Sequence, residues 1–490
     1  MPVYKDHSFR LGASAQGDDV YEINQSIRFN SADSGYMHRT PSSTGNRKTF
    51  TTSFWFKRGK LGTDMWLGGP NVSNSGYAYG IYLSSTNVLY VWIYYTGSSW
   101  QGQLYTNRMF SDPTAWYHLT LTVDTTQTLA TERIRLYING VRETSFSTEN
   151  YPSLNQDTSW NVSSTQMSIG SGDSNPAASG AFNDGYLTEM HYLDGYAYGP
   201  EYFGKFNDFD IWIPIEYTGS YGTNGFHIDG RDASDLGDDE SGQGNDFTTS
   251  GLAANDQMLD TPNNNWCTMN SAAKHTDSGF TIANGNLELT RTAGNNKGIV
   301  ATVGLTSGKW YWEVRTIHGT SYNIEHGVIG EINQGTILTG TDVSIGSSSS
   351  GYSLQFNTND YYKRHNNSST DTTINATSPS FQAFALDMDN KKIWFGYAVD
   401  GASSITWFES GDPAGGSNHI YALDDGNTTY YPAHNSSRGN GTQQARFNFG
   451  QDGSFAGEET ATHTDSNGLG NFFFAPPAGF LAICTRNLFD

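Results

Sequence analysis

WYHLTLTVDTTQTLATERIRLYINGV, residues 116–141, decides the fold. Tyr117, Leu119, Leu121 and Val123 fall on one side of a period of two, and Trp116, His118, Thr120 and Thr122 on the other. Such alternation marks a strand with one face in a core, because successive side chains leave a pleated backbone on opposite sides. A polar loop follows, and Ile134, Leu136 and Ile138 then alternate with Arg133, Arg135 and Tyr137. Asn139-Gly140 closes this second strand, since both residues tolerate the positive φ that a type I′ turn requires. Leu119, Leu121, Leu136 and Ile138 are therefore expected in a core. FQAFALDMDNKKIWFGYAV at 381–399 has the same character. The pattern predicts an all-β chain of two antiparallel β-sandwiches in tandem.

Length and composition agree with this. The 490 residues allow two to four domains at roughly 100–200 residues each. Aromatic residues make up 14% and charged residues only 16%, with 55 glycines and no sustained helical stripe. Aromatic and β-branched runs between Gly, Asn, Asp and Ser turns read as strands. With 27 Lys plus Arg against 49 Asp plus Glu, the formal charge is −22. An acidic surface repels phosphate backbones and anionic lipid, which argues against nucleic-acid and membrane partners. It also supplies carboxylates for Ca²⁺. No stretch is long and apolar enough for a membrane span. The N-terminal MPVYKDHSFRLGAS lacks the apolar core of a signal peptide. Two cysteines, Cys267 and Cys484, are not a disulfide framework. They read as buried thiols, with a bond between them as the alternative.

Along the chain, residues 1–24 carry no clear period and read as an arm or attachment segment. Strands are expected at Ser26–Asn30, Thr49–Lys57, Tyr77–Leu83, Val88–Tyr95, the opening hairpin, Met167–Gly170 and Gly185–Leu193, with a helical turn in 196–204. Residues 206–266 include the acidic run DGRDASDLGDDESGQGND at 229–246. This connector is too long for a structureless loop and is expected to pack back on the first domain. Residues 267–490 form the second domain.

Ile27-Arg28-Phe29, Trp116-Tyr117-His118-Leu119, Leu136 to Gly140 and the Gly185-Tyr186-Leu187-Thr188-Glu189 pattern occur in the order found in laminin-G-like domains. Residues 25–205 thus resemble a laminin-G-like, concanavalin A-like jelly roll. Trp310-Tyr311-Trp312-Glu313-Val314, Leu386-Asp387-Met388-Asp389, Tyr431-Pro432-Ala433 and Arg446-Phe447-Asn448-Phe449-Gly450 resemble a SPRY domain. The combination is similar to virion proteins of marine tailed bacteriophages, on strings such as Lys57-Arg58-Gly59-Lys60-Leu61-Gly62 and Tyr217-Thr218-Gly219-Ser220-Tyr221-Gly222. That resemblance implies a tail fibre or tail accessory protein binding host-surface glycan, other virion proteins or both. A capsid decoration or a purely structural tail-assembly protein is the alternative, and a glycan-degrading tail protein a third. The chain would be made in the host cytoplasm and end in the virion. Tail fibres are commonly trimers, so a homotrimer is implied.

The residues themselves suggest several sites. Tyr90, Trp92 and Tyr94 alternate with Leu89, Val91 and Ile93. An outward aromatic stripe offers rings for the apolar face of a sugar, and Trp100 follows in a loop. The competing reading is that this face packs on another layer. Ca²⁺ needs several oxygen ligands. Asp173 and Asn175 with Asn183 and Asp184 form one candidate, and Asp235, Asp238, Asp239 and Glu240 another, both against the plainer reading of solvated acidic loops. SPRY domains usually bind protein segments through loops, which singles out Tyr361, Tyr362, Arg364 and Trp407, with Tyr362 or Trp407 equally readable as core. Retaining glucanases place two carboxylates about 5 Å apart on one strand. Gly185–Asp194 offers only Glu189 and His191 on one face, so no enzymatic activity is expected. His118 and His191 read as outward strand residues, and neither is assigned a metal.

Overall fold

The computed structural model describes residues 21–71, 80–93, 101–172, 182–276, 279–291, 294–318, 322–340, 342–357, 360–375, 377–423, 426–439 and 442–489. The chain divides into two compact units, Met1–Asn265 and Trp266–Asp490. Both are built from antiparallel sheets, so the chain is an all-β tandem of jelly-roll sandwiches.

Among the described residues, one sheet of the first unit runs Val141–Arg142, Ile134–Ile138, Trp116–Asp124, Thr49–Arg58, Gly185–Asp194, Ser26–Phe29 and Gln257–Met258, with Phe226–Ile228 also paired to Gly185–Asp194. The opposing sheet runs Phe146–Asn150, Gln103–Met109, Val88–Trp92, Gly80–Leu83, Met65–Asn71, Gln166–Ile169, Tyr36–Arg39 and Thr248–Ser250. Leu119 pairs with Ile138 and Leu121 with Leu136, and all four are buried between the sheets. Asn139 and Gly140 take φ of 48° and 76°, and the Asn139 side chain accepts from the His118 amide at 2.7 Å. The residues between 206 and 266 add strands to both sheets rather than forming a separate body.

The chain from residue 196 onward does something alternation does not foretell. It covers the outer face of the first sheet. Trp55, Trp116, Tyr186, Trp212 and Met258 pack there as one apolar cluster, and Leu193, Phe203, Tyr217 and Tyr221 as another. His118 and His191 are consequently buried, not outward. The Trp212 indole N–H donates to His118 Nδ1 at 3.0 Å, so Nε2 carries the proton and donates to Ser53 Oγ at 2.8 Å. Burial pushes His118 down to about 3 and keeps it neutral.

Two ion pairs close this layer. Lys57 Nζ lies 2.6 Å from Asp260 Oδ2 and 2.7 Å from Asn265 Oδ1, with both charged side chains essentially inaccessible. Trp116 Nε1 donates to the other Asp260 oxygen at 3.0 Å. Arg28 Nε meets Asp256 at 3.2 Å.

In the second unit, one sheet of the described residues runs Met269–Lys274, Lys297–Ala301, Tyr430–Gly439, Tyr322–Gly330, Gly351–Asn357, Asp360–His365 and Ser368–Asn375. The other runs Thr281–Ala283, Glu288–Arg291, Gln443–Asn448, Lys309–Ile317, Ser380–Asp387, Lys392–Val399 and Thr406–Trp407, with Tyr421–Ala422 on Lys392–Val399. Glu313, in the Trp-rich strand, is fully buried. Its carboxylate accepts from the Phe473 and Phe474 amides at 3.1 and 2.8 Å, Asn448 Nδ2 at 3.0 Å and Tyr311 Oη at 3.0 Å, tying the C-terminal segment to the sheet. Cys267 and Cys484 are buried thiols not joined in a disulfide. His326 and His434 meet Nδ1 to Nδ1 at 3.2 Å in the core, and burial pushes His326 down to about 3.

Two outcomes follow from these buried polar groups. Asp260→Ala strands the Lys57 ammonium and should destabilise the first unit by about 3–5 kcal/mol in urea unfolding, whereas Lys57→Met combined with Asp260→Leu should recover most of that loss. A histidine whose folded pKa lies below its unfolded value adds stability above about pH 6.5 that is lost as the pH falls towards the folded pKa. The second unit should therefore lose stability through that window, by at most ~1.4 kcal/mol per pH unit for each such histidine, and His326→Asn should flatten the slope.

Candidate functional site

The outer face of the second sheet in the first unit carries a cross-strand row of aromatic rings. Trp66 pairs with Tyr82, Tyr82 with Tyr90, and Tyr90 with Tyr105, so one register line crosses four neighbouring strands. Trp92 stands opposite Gly80. Gly80 has φ of 151°, and a Cβ there would lie 2.5 Å from the Gly68 carbonyl oxygen. A glycine at this position lets the two strands' backbones approach, and Trp92 lies 4.8 Å from Tyr82 between ring centroids. Leu89, Val91 and Ile93 point the other way, into the core, as the alternation requires.

The rings pack largely on one another. Tyr90 and Tyr105 stack at 3.9 Å and 15°, Trp66 and Tyr82 at 4.9 Å and 24°, and Tyr82 meets Tyr90 edge-on at 4.9 Å. Trp66 and Tyr82 are buried, while Tyr90, Trp92 and Tyr105 are half-exposed. Tyr105 Oη receives the Trp92 indole N–H at 3.1 Å and a hydrogen bond from Gln103 Nε2. Gln103 Oε1 in turn accepts from Asn150 Nδ2 at 3.1 Å. Burial raises the Tyr82 phenol well above its usual range. The surface offered to a ligand is thus ring edges and outer faces, fixed in place by their neighbours, with a hydrogen-bonded phenol at one end.

On the same unit an open polar cleft of about 470 Å³ is lined by residues that include His38, Gln166, Asn245, Asp246 and Thr248. Arg39 at its wall donates to the Asn224 carbonyl at 3.1 Å and to Asn245 Oδ1. His38 and Gln166 sit on strands of the sheet that carries the aromatic row. Amides, hydroxyls and a carboxylate in one cleft suit the hydroxyls of a sugar.

Of the expected sugar platform, the structure places Tyr90 and Trp92 together, while Tyr94 and Trp100 lie outside the described residues. Trp66, Tyr82 and Tyr105 went unread because each sits alone in its strand. The available signal was an aromatic at a same-face position in successive strands, and it needs the register to be seen. For the cation candidates, Asp173 and Asn175 lie outside the described residues. Asp184 is buried and accepts from the Ser31 amide at 3.0 Å. Asp235 and Asp238 are exposed, and Asp235 accepts from the Gly237 amide at 3.2 Å. Asp239 is committed to its own loop, accepting from the His227, Ser241 and Asn245 amides at 2.8, 3.0 and 2.8 Å.

The partner-loop reading of the second unit is corrected. Asp360–His365 is a strand inside the sheet, not a loop. Tyr361 is buried against Phe356, Tyr397 and Phe408, with centroids 4.6–5.6 Å apart. Arg364 is spent on buried Glu325 and on Ser344 Oγ at 3.1 Å. Trp407 forms a strand beside Gly396 and is half-buried there. Tyr362 remains half-exposed on its strand. Aromatic and cationic residues in a short run read alike as hot spot or as sheet, and only strand pairing separates the two.

Residues 30–195 match the concanavalin A-like lectin/glucanases superfamily. The match ends before the covering layer begins. No curated protein matches the chain. Among solved structures the chain is similar to the TRIM65 PSpry domain, at 13% identity and a TM-score of 0.28 over 37% of this chain and 88% of that one. It is likewise similar to the SPRY domain of human HERC1, at 18% identity and 0.25 over 34% and 91%. A heptameric SAP-like pentraxin from Limulus polyphemus gives 15% and 0.28 over 36% and 80%.

Glu325 makes Arg364 a stability residue. Its carboxylate also accepts from Gln355 Nε2 at 2.9 Å, Ser353 Oγ at 3.0 Å and the Gly346 amide at 2.8 Å. Arg364→Ala should cost the second unit about 3 kcal/mol in chemical unfolding, because it leaves a buried carboxylate without its cation.

Proposed function

We propose that this chain is a carbohydrate-binding protein whose ligand lies on the outer aromatic face of the first sandwich. The observation that carries the reading is the register row Trp66–Tyr82–Tyr90–Tyr105 with Trp92, buried at one end and half-exposed at the other. Sugar rings present C–H faces that pack on aromatic surfaces and hydroxyls that bond to phenols and amides. Rings locked by mutual stacking lose little freedom when a ligand arrives, which favours binding. The cleft by His38, Gln166 and Asn245 extends the same surface with polar groups. The superfamily match over residues 30–195 supports a lectin-like use of this unit.

The biological setting we propose is attachment of a tailed-phage particle to host-surface glycan, with the chain binding rather than cleaving. The support for that setting is the sequence resemblance alone. Full-length protein should bind a subset of bacterial surface polysaccharides on a glycan array and release no reducing ends from them. Trp92→Ala should weaken binding about tenfold, or ~1.4 kcal/mol, with an unchanged circular dichroism spectrum. Undiminished binding by a Trp92→Ala, Tyr105→Ala double variant would move the ligand off this face. Release of oligosaccharide would replace binding by hydrolysis as the reading.

A further inference from the structure

Beneath the layer that covers the first sheet, three side chains converge. Gly185–Asp194 is bulged between Thr188 and His191, and Glu189 in the bulge takes φ of 49°. Such a bulge costs backbone strain and re-aims a side chain. Here it turns Glu189 towards the cross-strand pair His191 and His227. The two imidazoles stack at 4.2 Å and 13°, and their Nε2 atoms lie 3.2 and 3.1 Å from the same oxygen, Glu189 Oε2. All three residues are buried, none more than 8% exposed. We propose that Glu189, His191 and His227 form a structural site for a divalent transition metal of the Zn²⁺ class.

Three features of the geometry carry this. The three ligand atoms all lie within 4.8 Å of one another. A tetrahedral ion with bonds of about 2.0–2.1 Å has ligand-to-ligand edges of about 3.3 Å, close to the 3.2 and 3.1 Å between each Nε2 and the carboxylate oxygen, and the stacked imidazoles would tilt apart to aim both lone pairs at the ion. The donor set also selects the metal. Two imidazoles and one carboxylate suit Zn²⁺, Co²⁺ or Ni²⁺, whereas Ca²⁺ and Mg²⁺ take oxygen ligands. Finally, the groups behind the ligands are in place. Tyr221 Oη bonds the far nitrogen of His191 at 3.0 Å, Tyr21 Oη bonds the second Glu189 oxygen at 3.0 Å, and Asp239 holds the His227 amide at 2.8 Å. Outer partners of this kind orient metal ligands and fix the imidazole tautomer. Zinc takes four ligands, so these three would leave one position to a solvent molecule.

The ion would pin Phe226–Ile228, and with it the covering segment, to the strand Gly185–Asp194. The same residues without a metal would be a closed hydrogen-bond network, and the experiment separates the two.

Full-length protein, stripped with a chelator and confirmed folded, is titrated with Zn²⁺ by calorimetry and with Co²⁺ by visible absorption. We expect one equivalent of either ion, ligand-field bands from Co²⁺ in a low-symmetry site, and a rise of several degrees in melting temperature with Zn²⁺. Tyr221→Phe keeps the fold and should weaken Zn²⁺ about ten- to a hundredfold. His191→Ala with His227→Ala should abolish the bands. A folded, stripped wild type that binds Zn²⁺ and Co²⁺ only substoichiometrically, with an unmoved melting temperature, overturns the site in favour of the metal-free network. Equal binding by the double histidine variant overturns it in favour of ions held elsewhere.

Discussion

Every residue of the strand Gly185–Asp194 is buried, and the first unit depends on that constraint. A sheet strand with core on one face usually shows water the other. Here the second face meets Phe203, Tyr217, Tyr221 and their neighbours, so the polar residues on it must find partners inside the protein. They do. Thr188 donates to the Gln25 carbonyl at 2.8 Å; on the core side, at the strand's end, Asp194 accepts from the Asn46 amide, Asn161 Nδ2 and the Asn224 amide at 2.8, 2.6 and 3.1 Å. His191 and Glu189 find Tyr221, Tyr21 and His227. Lys57, on the adjacent strand, finds Asp260 across about two hundred residues of chain. Each such bond is worth little net, but a missing partner is expensive, so the network specifies where the covering segment lies.

The opposite sheet solves a different problem with the same chemistry. Its outer face keeps Tyr90, Trp92 and Tyr105 half-exposed, and the rings support one another by stacking and by the Trp92–Tyr105 hydrogen bond. Aromatic pairs of this type gain about 0.5–1.5 kcal/mol beyond burial, enough to hold a surface rigid without covering it. One sandwich therefore carries one sheet face closed by later residues and one whose rings stay half-exposed. The lectin-like superfamily match ends near residue 195, and the closed face is built largely from residues that follow it.

The second unit shows where local reading misleads. Tyr361 and Arg364 look like an adhesive loop in sequence, yet Tyr361 fills the core and Arg364 neutralises Glu325. A short run of aromatic and basic residues has no period long enough to distinguish a strand from a loop. By contrast, Trp310 to Val314, quoted as a strand of the SPRY resemblance, does lie in a strand, Lys309–Ile317, with bulky residues buried on both faces. Its Glu313 marks a tether for Phe473 and Phe474 that only the folded chain makes visible.

The sequence by itself determined the sheets. Alternation at Trp116–Val123 and Ile134–Ile138, the Asn139-Gly140 turn and the outward placement of Tyr90 and Trp92 all follow from a period of two and from which residues tolerate positive φ. These are local properties, set within a few residues. Tertiary structure decided which faces see water and which distant groups meet. Alternation names the face turned from the core, but whether that face is solvated depends on what packs over it. His118 and His191 became interior only because residues 196–265 return over their sheet. Glu189, His191 and His227 converge through a bulge and a register, neither of which leaves a spacing in the chain that could be read beforehand.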